Sequence, residues 1–283
     1  ERTDKYRKGL NRALVVFNKC VKGARLTPIS GRNAFNHFSV ARGKMSTKCY
    51  RKKLVCFANS RKTGGRCVAG KEWRNGRPGN WVRPISDRPT HELSISECSY
   101  QNRRVPKLLD IVEIEFKCHQ PVAHQIENHC IDPEYYWEKQ GRLSWDDLDQ
   151  WLDNPRALWT TGESSYSGRN NRVAVNNADG SSLLLIAVDS LNLIVGKKAP
   201  EYADSKRAVR CGFHYKNIYY LIDVTDPNIE RSYLAKSDGD YVIDDAVLCI
   251  SLGDEYQGYY YKRIRSIFNQ RSCSGTETAH RTE

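Results

Sequence analysis

Short apolar runs separated by turn-forming segments recur along most of the chain, and this pattern limits the fold to short strands. LDIVEIEFK (109–117) alternates apolar and charged residues, as in a strand with one buried face. KLVCFA (53–58), SLLLIAV (182–188) and LNLIV (191–195) are compact apolar runs of strand length. Short strands with closely spaced turns are typical of small barrels or sandwiches. We therefore predict a mainly β protein with two β-domains.

A helical segment separates the two strand-rich blocks. In SWDDLDQWLDN (144–154), Ser144 suits an N-cap, acidic residues fill the first turn, and Trp and Leu recur at helical spacing until Pro155. This places a helical connector between two β-domains. The predicted divisions are a basic extension without pattern (1–44), a first β-domain (45–131), the connector (132–160), a second β-domain (161–268) and a disordered tail (269–283).

The positive charge is concentrated in the first third of the chain. The net charge is +12, yet residues 106–269 hold eighteen basic and twenty-five acidic residues. Residues 1–44 hold eleven basic residues and two acidic ones, and they precede Met45, the single methionine. We expect that translation begins at Met45 and that residues 1–44 are disordered. Without them the net charge is about +3, so bulk charge does not by itself indicate nucleic-acid binding.

Composition predicts a cytoplasmic location. No apolar run approaches the roughly 18 residues that span a bilayer, and the run at 14–17 is too short for a signal-peptide core. The ten cysteines are scattered without a CxxC pair. Because Cys56, Cys118 and Cys249 lie in apolar runs, we expect buried, reduced thiols rather than disulfides.

The segment RKTGGRC (61–67) is the first candidate for ligand binding. A glycine pair lets backbone N–H groups approach a phosphate, and neighbouring basic side chains add charge. The spacing is not that of a Walker loop. A hairpin turn with a solvated basic rim explains the same residues equally well.

Two further segments carry candidate contacts. In NWVRP (80–84), Trp81 and Arg83 are expected on opposite strand faces, where Trp81 could stack on a base and Arg83 could meet a phosphate, although Trp81 equally suits a core. The polar loop GESSYSGRNNR (162–172) carries Arg169 and Arg172, and is either a binding loop or a plain connector. The predicted nucleic-acid contacts are Arg61, Lys62, Gly64, Gly65, Arg66, Trp81, Arg83, Arg169 and Arg172.

The segment CHQPVAHQIENHC (118–130) raises the question of a metal. His119, His124 and His129 stand five residues apart, which rotates each away from the last on a helix, and Pro121 disfavours a helix. The adjacent Cys–His pairs point apart on a strand. We predict no metal and no cofactor, with the three histidines as the weaker alternative.

No motif indicates an enzyme. The chain has no GxSxG and no HExxH. The alternative to a binding protein is a metal-dependent hydrolase or nuclease component, with a site formed by His119, His124 and Glu127 or by Asp223 and Asp226. A protein-interaction scaffold is the third interpretation, because small β-barrels and the acidic later part of the chain suit partner docking.

A series of segments resembles the bacterial dual OB-containing domain family from about Lys53 to Lys262. In order they are ANSRKTGGRCVAGKEW, NWVRPIS, HELS, VPKLLDIVEIEF, HQIEN, LWTTGESSYSGRNNRV, SLLLIAVDSLNLIV, YYLIDVTDPNIE and LCISLGDEYQGYYYK. The resemblance implies two OB-type barrels in tandem, a nucleic-acid-binding role and a setting in prokaryotic defence systems. It implies no catalytic residues. KRIRSIFNQRSC (262–273) departs from an apolar final strand, so we expect that strand to be imperfect.

The combined interpretation is a non-enzymatic cytoplasmic protein of two OB-like barrels that binds single-stranded nucleic acid or a nucleotide-like ligand. OB barrels offer aromatic side chains for stacking, at about 1–3 kcal/mol per base, and basic side chains along the nucleic-acid backbone. The expected partners are such a nucleic acid and proteins of a defence operon, and no membrane.

Overall fold

The computed structural model describes residues 49–62, 64–198 and 205–274. The predictions for 1–44, and for the tail beyond residue 274, lie outside the described residues. Twelve strands are described: β1 (Tyr50–Lys62), β2 (Gly65–Arg74), β3 (Arg77–Ile85), β4 (Asp110–His119), β5 (Asn128–Ile131), β6 (Glu138–Arg142), β7 (Arg172–Ala174), β8 (Leu183–Lys197), β9 (Arg207–Tyr215), β10 (Ile218–Val224), β11 (Gly239–Tyr256) and β12 (Tyr259–Phe268). The helices of the same residues are α1 (Pro227–Leu234), α2 (Gln270–Ser274) and the 3-10 turns Trp145–Asp147, Asp149–Trp151 and Val175–Asn177.

The first sheet closes into a five-stranded barrel. β1 pairs antiparallel with β2 and β4, β2 pairs with β3, and β3 runs parallel to β5, which returns to β4. The circuit β1-β2-β3-β5-β4 has the strand order of an OB barrel. The hydrophobic core of this barrel is formed by alternate residues of these strands and by the chain after β3. It includes Leu54, Cys56, Val68, Val82, Leu93, Val112, Ile114, Phe116 and Ile131.

The second sheet repeats this circuit. β8 pairs with β9 and β11, β9 pairs with β10, and β12 pairs with β11. A two-residue parallel pairing, Asp223 with Arg263 and Val224 with Ile264, joins β10 to β12. Helix α1 lies between the third and fourth strands of this barrel and begins at the N-cap Asp226. The prediction of two OB-like barrels in tandem is thereby confirmed.

The connector is less helical than predicted. Ser144 caps the segment as expected, because its side chain accepts a hydrogen bond from the Asp146 N–H. Two single 3-10 turns follow in place of an α-helix, and β6 extends the first sheet. The indole of Trp151 is fully buried and stacks on Trp73 with ring centroids 5.6 Å apart. Packing of Trp151 between the barrels, rather than helical periodicity, sets the path of the chain.

The final strand, expected to be imperfect, is complete in length, and its irregularity is limited to two register shifts in the pairing with β11. β12 runs over ten residues and pairs with β11, β10 and β7. Lys262 and Ile264 are buried inside the second barrel, whereas buried Ser266 donates a hydrogen bond to the Phe57 carbonyl of the first barrel. The arginines that made the segment look unlike a strand occupy the alternate, outward positions, so they do not enter the core.

The two barrels share an apolar core. Phe57 and Trp81 of the first barrel, Leu185 and Val247 of the second, and Trp151 of the connector belong to one cluster of buried residues. These contacts fix the barrels against each other.

The nine cysteines in the described ranges are free, with Cys56 and Cys249 buried as predicted and Cys118 only partly buried. No helix within those ranges has the length and apolar character needed to cross a membrane.

Candidate nucleic-acid interface

Loops from both barrels converge on one cleft. The first barrel contributes the end of its β1–β2 hairpin, with Arg61 and Lys62, and Gln125 from its β4–β5 loop. The second contributes Lys198 after its first strand and Tyr256 at the hairpin between its last two strands. The loops after the first and fourth strands are the ligand-binding loops of OB barrels. The two ligand-binding loops of the first barrel and the two of the second therefore line the same cleft.

The cleft has a volume of about 780 Å³, within the usual range for ligand sites. Two acidic residues, Asp223 and Asp254, line it, so basic side chains outnumber acidic ones three to one. The basic lining residues are Arg61, Lys62, Arg83, Lys198, Arg263 and Arg265. The cleft is thus cationic although residues 106–269 are acidic as a whole.

The outward face of β12 forms one wall of the cleft. Tyr261, Arg263 and Arg265 alternate with buried Lys262 and Ile264, so all three point out of the barrel. Sequence reasoning missed both arginines because it treated KRIRSIFNQRSC (262–273) as a departure from an apolar final strand. A period of two in basic and aromatic residues was the signal that could have identified them.

Exposed tyrosines accompany these cations. The side chains of Tyr166 and Tyr256 are 82% and 61% exposed, and both line the cleft. The rings of Tyr256 and Tyr261 lie 6.3 Å apart between centroids. Aromatic faces beside guanidinium groups are what single-stranded nucleic acid requires for stacking and phosphate contact.

Most cations of the cleft have carboxylate partners. Arg61 pairs with Glu230 at 3.2 Å and Lys62 with Asp254 at 3.6 Å. Lys198 pairs with Asp223 at 2.7 Å, and Arg263 shares that carboxylate. The pairs of Arg61 and Lys62 each have one exposed partner and contribute about 1 kcal/mol or less, so a phosphate can compete for these two cations. The pairs at Asp223 are partly buried.

The predicted glycine pair does not line the cleft. A Cβ on Gly65 would lie 2.2 Å from the carbonyl oxygen of Leu93, and one on Gly64 would lie 2.2 Å from the Glu92 carboxylate. The segment forms a hairpin turn, with Lys62 opposite Gly65. The glycines therefore make room for residues 92–93, and a phosphate contact by their backbone stays a prediction.

The expectation that Trp81 and Arg83 lie on opposite faces is wrong, because residues two apart in a strand share a face, and this face of β3 points at the second barrel. Trp81 is 9% exposed, and its Nε1 donates to Asp153 at 3.2 Å. The prediction that it stacks on a base is corrected, because the ring packs inside the shared core. Arg83 lines the cleft but is 4% exposed and donates to Glu127 at 2.9 Å. Its charge is therefore largely committed to the protein.

Three further predicted contacts lie outside the cleft. Arg66 is partly buried, and its Nη1 donates to the Asn59 carbonyl at 3.4 Å. Arg172 lies over the Tyr259 ring at 3.9 Å and pairs with Glu163. Arg169 is exposed and lines a separate, smaller depression beside the polar loop.

The structure does not bring the three histidines together. The rings of His119 and His129 lie 4.6 Å apart, while His124 lies on Tyr260 of the second barrel at 3.6 Å. Among the described residues, no group of three or more His, Cys, Asp and Glu side chains could hold a metal ion. The alternative metal site at these histidines is therefore wrong.

The other proposed catalytic groups have structural partners. Glu127 is buried against Arg83. Asp226 caps α1 by accepting hydrogen bonds from the N–H groups of Asn228 and Ile229, and burial raises its pKa. Asp223 is held by the cations described above. The structure does not bring these carboxylates together in a metal site.

His129 makes the stability of the first barrel depend on pH. Burial lowers its pKa to about 4, assisted by the nearby His119 and Lys52 charges. The unfolded chain takes up this proton near pH 6.5 and the folded chain only near pH 4, so the free energy of unfolding falls as pH drops between these values. We expect a loss of about 1–2 kcal/mol, reduced by partial exposure. Urea unfolding at pH 7, 6, 5 and 4.5 measures it.

The matching variant is His129→Gln, whose amide can still accept the hydrogen bond from the Tyr50 hydroxyl. It should flatten the pH dependence, while His214→Gln at an exposed position should keep it. An unchanged pH dependence in His129→Gln would contradict this assignment.

These features define a class of protein with two OB barrels in tandem whose ligand-binding loops meet at one cleft. The family model of the dual OB-containing domain matches residues 52–267, so the chain belongs to that family. The resemblance predicted from about Lys53 to Lys262 is confirmed.

Other similarities are weak. No curated protein matches the sequence significantly. A similar solved structure is the crystal structure of the tetrameric p202 HIN2, with 8% sequence identity and a TM-score of 0.27, covering 77% of this chain and 90% of that chain. A likeness at this level carries no argument about the ligand.

Proposed function

We propose that this protein is a non-enzymatic module that binds single-stranded nucleic acid, or a nucleotide-like ligand, in the cleft between its barrels. The observation that carries the proposal is the convergence of binding loops from both barrels on one cationic cleft with exposed tyrosines. Stacking on the tyrosines would hold bases, and the lysines and arginines would hold phosphates.

The distribution of charge supports this proposal. Binding of a phosphate backbone depends on cations within contact distance rather than on net charge. The basic lining residues come from positions 61 to 265, and the second barrel contributes half of them although its own basic and acidic residues nearly balance. A cytoplasmic location, partners from an operon and a role in defence stay predictions from the sequence.

The test is fluorescence anisotropy with labelled single-stranded DNA and RNA at 50 to 200 mM salt. We expect affinity to fall with salt, with a slope of about −0.7 per phosphate contact in a plot of log K against log salt. Tyr256→Ala should weaken binding about tenfold, because one stacking surface is lost.

Tyr136→Ala is the matched control, because Tyr136 is 60% exposed and does not line the cleft. It should bind like the wild type. The proposal fails if the wild type shows no salt-dependent binding, or if both tyrosine variants bind equally well.

A further inference from the structure

Arg265 differs from the other basic residues of the cleft. Each of the other five has a carboxylate partner within 4 Å, whereas Arg265 has none among the described residues. Its Nε donates to the Ser251 hydroxyl at 2.6 Å and its Nη1 to the Thr225 hydroxyl at 3.4 Å. A guanidinium has five N–H donors, so most of its hydrogen-bonding capacity is unused.

The surroundings of Arg265 disfavour its positive charge. Burial, together with the nearby Arg83 and Arg263 guanidinium groups, lowers its pKa. Arg83 is already paired with Glu127, and Arg263 shares Asp223 with Lys198. A partly buried charge without a counter-ion is unfavourable, so an anion that enters the cleft gains most beside Arg265.

We propose that Arg265 and Arg263 form a phosphate-binding subsite in the wall of the cleft. The inference rests on the proposed function and names where a phosphate of that ligand sits. Both residues line the same cleft, and Arg265 lies where the pairing of β12 with β11 is interrupted, so both guanidinium groups can donate to one anion. A phosphate, with several acceptor oxygens, suits two planar guanidinium groups better than a single carboxylate does.

Inorganic phosphate is the first probe. Thermal unfolding is followed at increasing phosphate, with sodium chloride adjusted to hold the ionic strength constant. We expect phosphate to raise the Tm of the wild type beyond chloride, because a ligand of the folded state stabilises it. Arg265→Gln should weaken the apparent phosphate affinity about tenfold.

Arg77→Gln is the control, because Arg77 is an exposed arginine on β3 outside the cleft. It should keep the wild-type response. The subsite is refuted if phosphate raises the wild-type Tm no more than chloride does, or if folded Arg265→Gln responds like the wild type. The first of these results needs no variant, so it decides the question even if Arg265→Gln fails to fold.

Oligonucleotides of one sequence, with a 5′-phosphate or a 5′-hydroxyl, then identify the source of the phosphate. A terminal phosphate in the subsite gives tighter binding of the 5′-phosphorylated strand, and Arg265→Gln removes that difference. An internal phosphodiester gives equal binding of both strands, and Arg265→Gln weakens both.

The two proposals fail separately. Oligonucleotide binding that Arg265→Gln leaves unchanged refutes the subsite and leaves the proposed function intact. A phosphate effect that depends on Arg265, without binding of any oligonucleotide, supports the subsite and refutes the proposed function.

Discussion

Glu127→Ala is expected to lower the free energy of unfolding by about 3–5 kcal/mol, because it leaves a buried guanidinium without its counter-ion. Glu127 and Arg83 are each 4% exposed, and one carboxylate oxygen accepts from Arg83 Nε at 3.2 Å and Nη2 at 2.9 Å. The other oxygen accepts from the Ser182 N–H at 3.3 Å. Because Ser182 precedes the first strand of the second barrel, the change should also loosen the contact between barrels.

Urea unfolding at pH 7, followed by tryptophan fluorescence, measures this effect. Glu127→Gln keeps an acceptor for Arg83 and should lose less stability than Glu127→Ala. Asp87→Ala removes an exposed partner of Lys117, 3.4 Å away, and should change little. If Glu127→Ala unfolded at the same urea concentration as Asp87→Ala, the buried pair would not have the structural role assigned to it.

The Arg83–Glu127 pair also shows which feature of the fold the sequence did not predict. The two tandem OB barrels followed from the family resemblance, but the sequence did not show that Trp81 and Arg83 lie on a face covered by the second barrel. Alternation tells which residues share a face, but it does not tell what that face meets. The second barrel covers this face, so residues that look available for a ligand are core and interface residues.

The prediction of a helical connector was wrong for a related reason. Ser144 and the helical spacing of Trp and Leu predicted a helix, and the N-cap is present. The side chain of Trp151 is packed against Trp73 and Phe57, and this burial overrides the local helical preference. Local signals identified the start of the segment and not its conformation.

The cleft was only partly predictable. Arg61 and Lys62 were identified because a basic hairpin is visible in a short segment. Arg263 and Arg265 lie about 200 positions later, and closure of two barrels brings the segments together. The pattern that placed them on one face was present in β12, but no local feature connects that strand with the first hairpin.

Because the cleft combines cations that are distant in the sequence, their joint removal is the second prediction with a large expected effect. Exchanging Arg61, Lys62 and Lys198 for glutamine should weaken binding of single-stranded oligonucleotides about a hundredfold near 150 mM salt. The slope of log K against log salt should become shallower by roughly 2, because three phosphate contacts are lost. All three side chains pair with carboxylates at the mouth of the cleft, so their removal should leave the fold intact.

The control removes the same charge elsewhere. Arg77, Arg104 and Lys107 are exposed and do not line the cleft, so exchanging them for glutamine lowers the net charge equally. Since a bound strand responds to cations within a few ångströms and salt screens more distant ones, this variant should keep nearly the wild-type affinity and slope. Equal losses in both triple variants would mean that the protein attracts nucleic acid through its overall charge, and that the cleft is not the binding site.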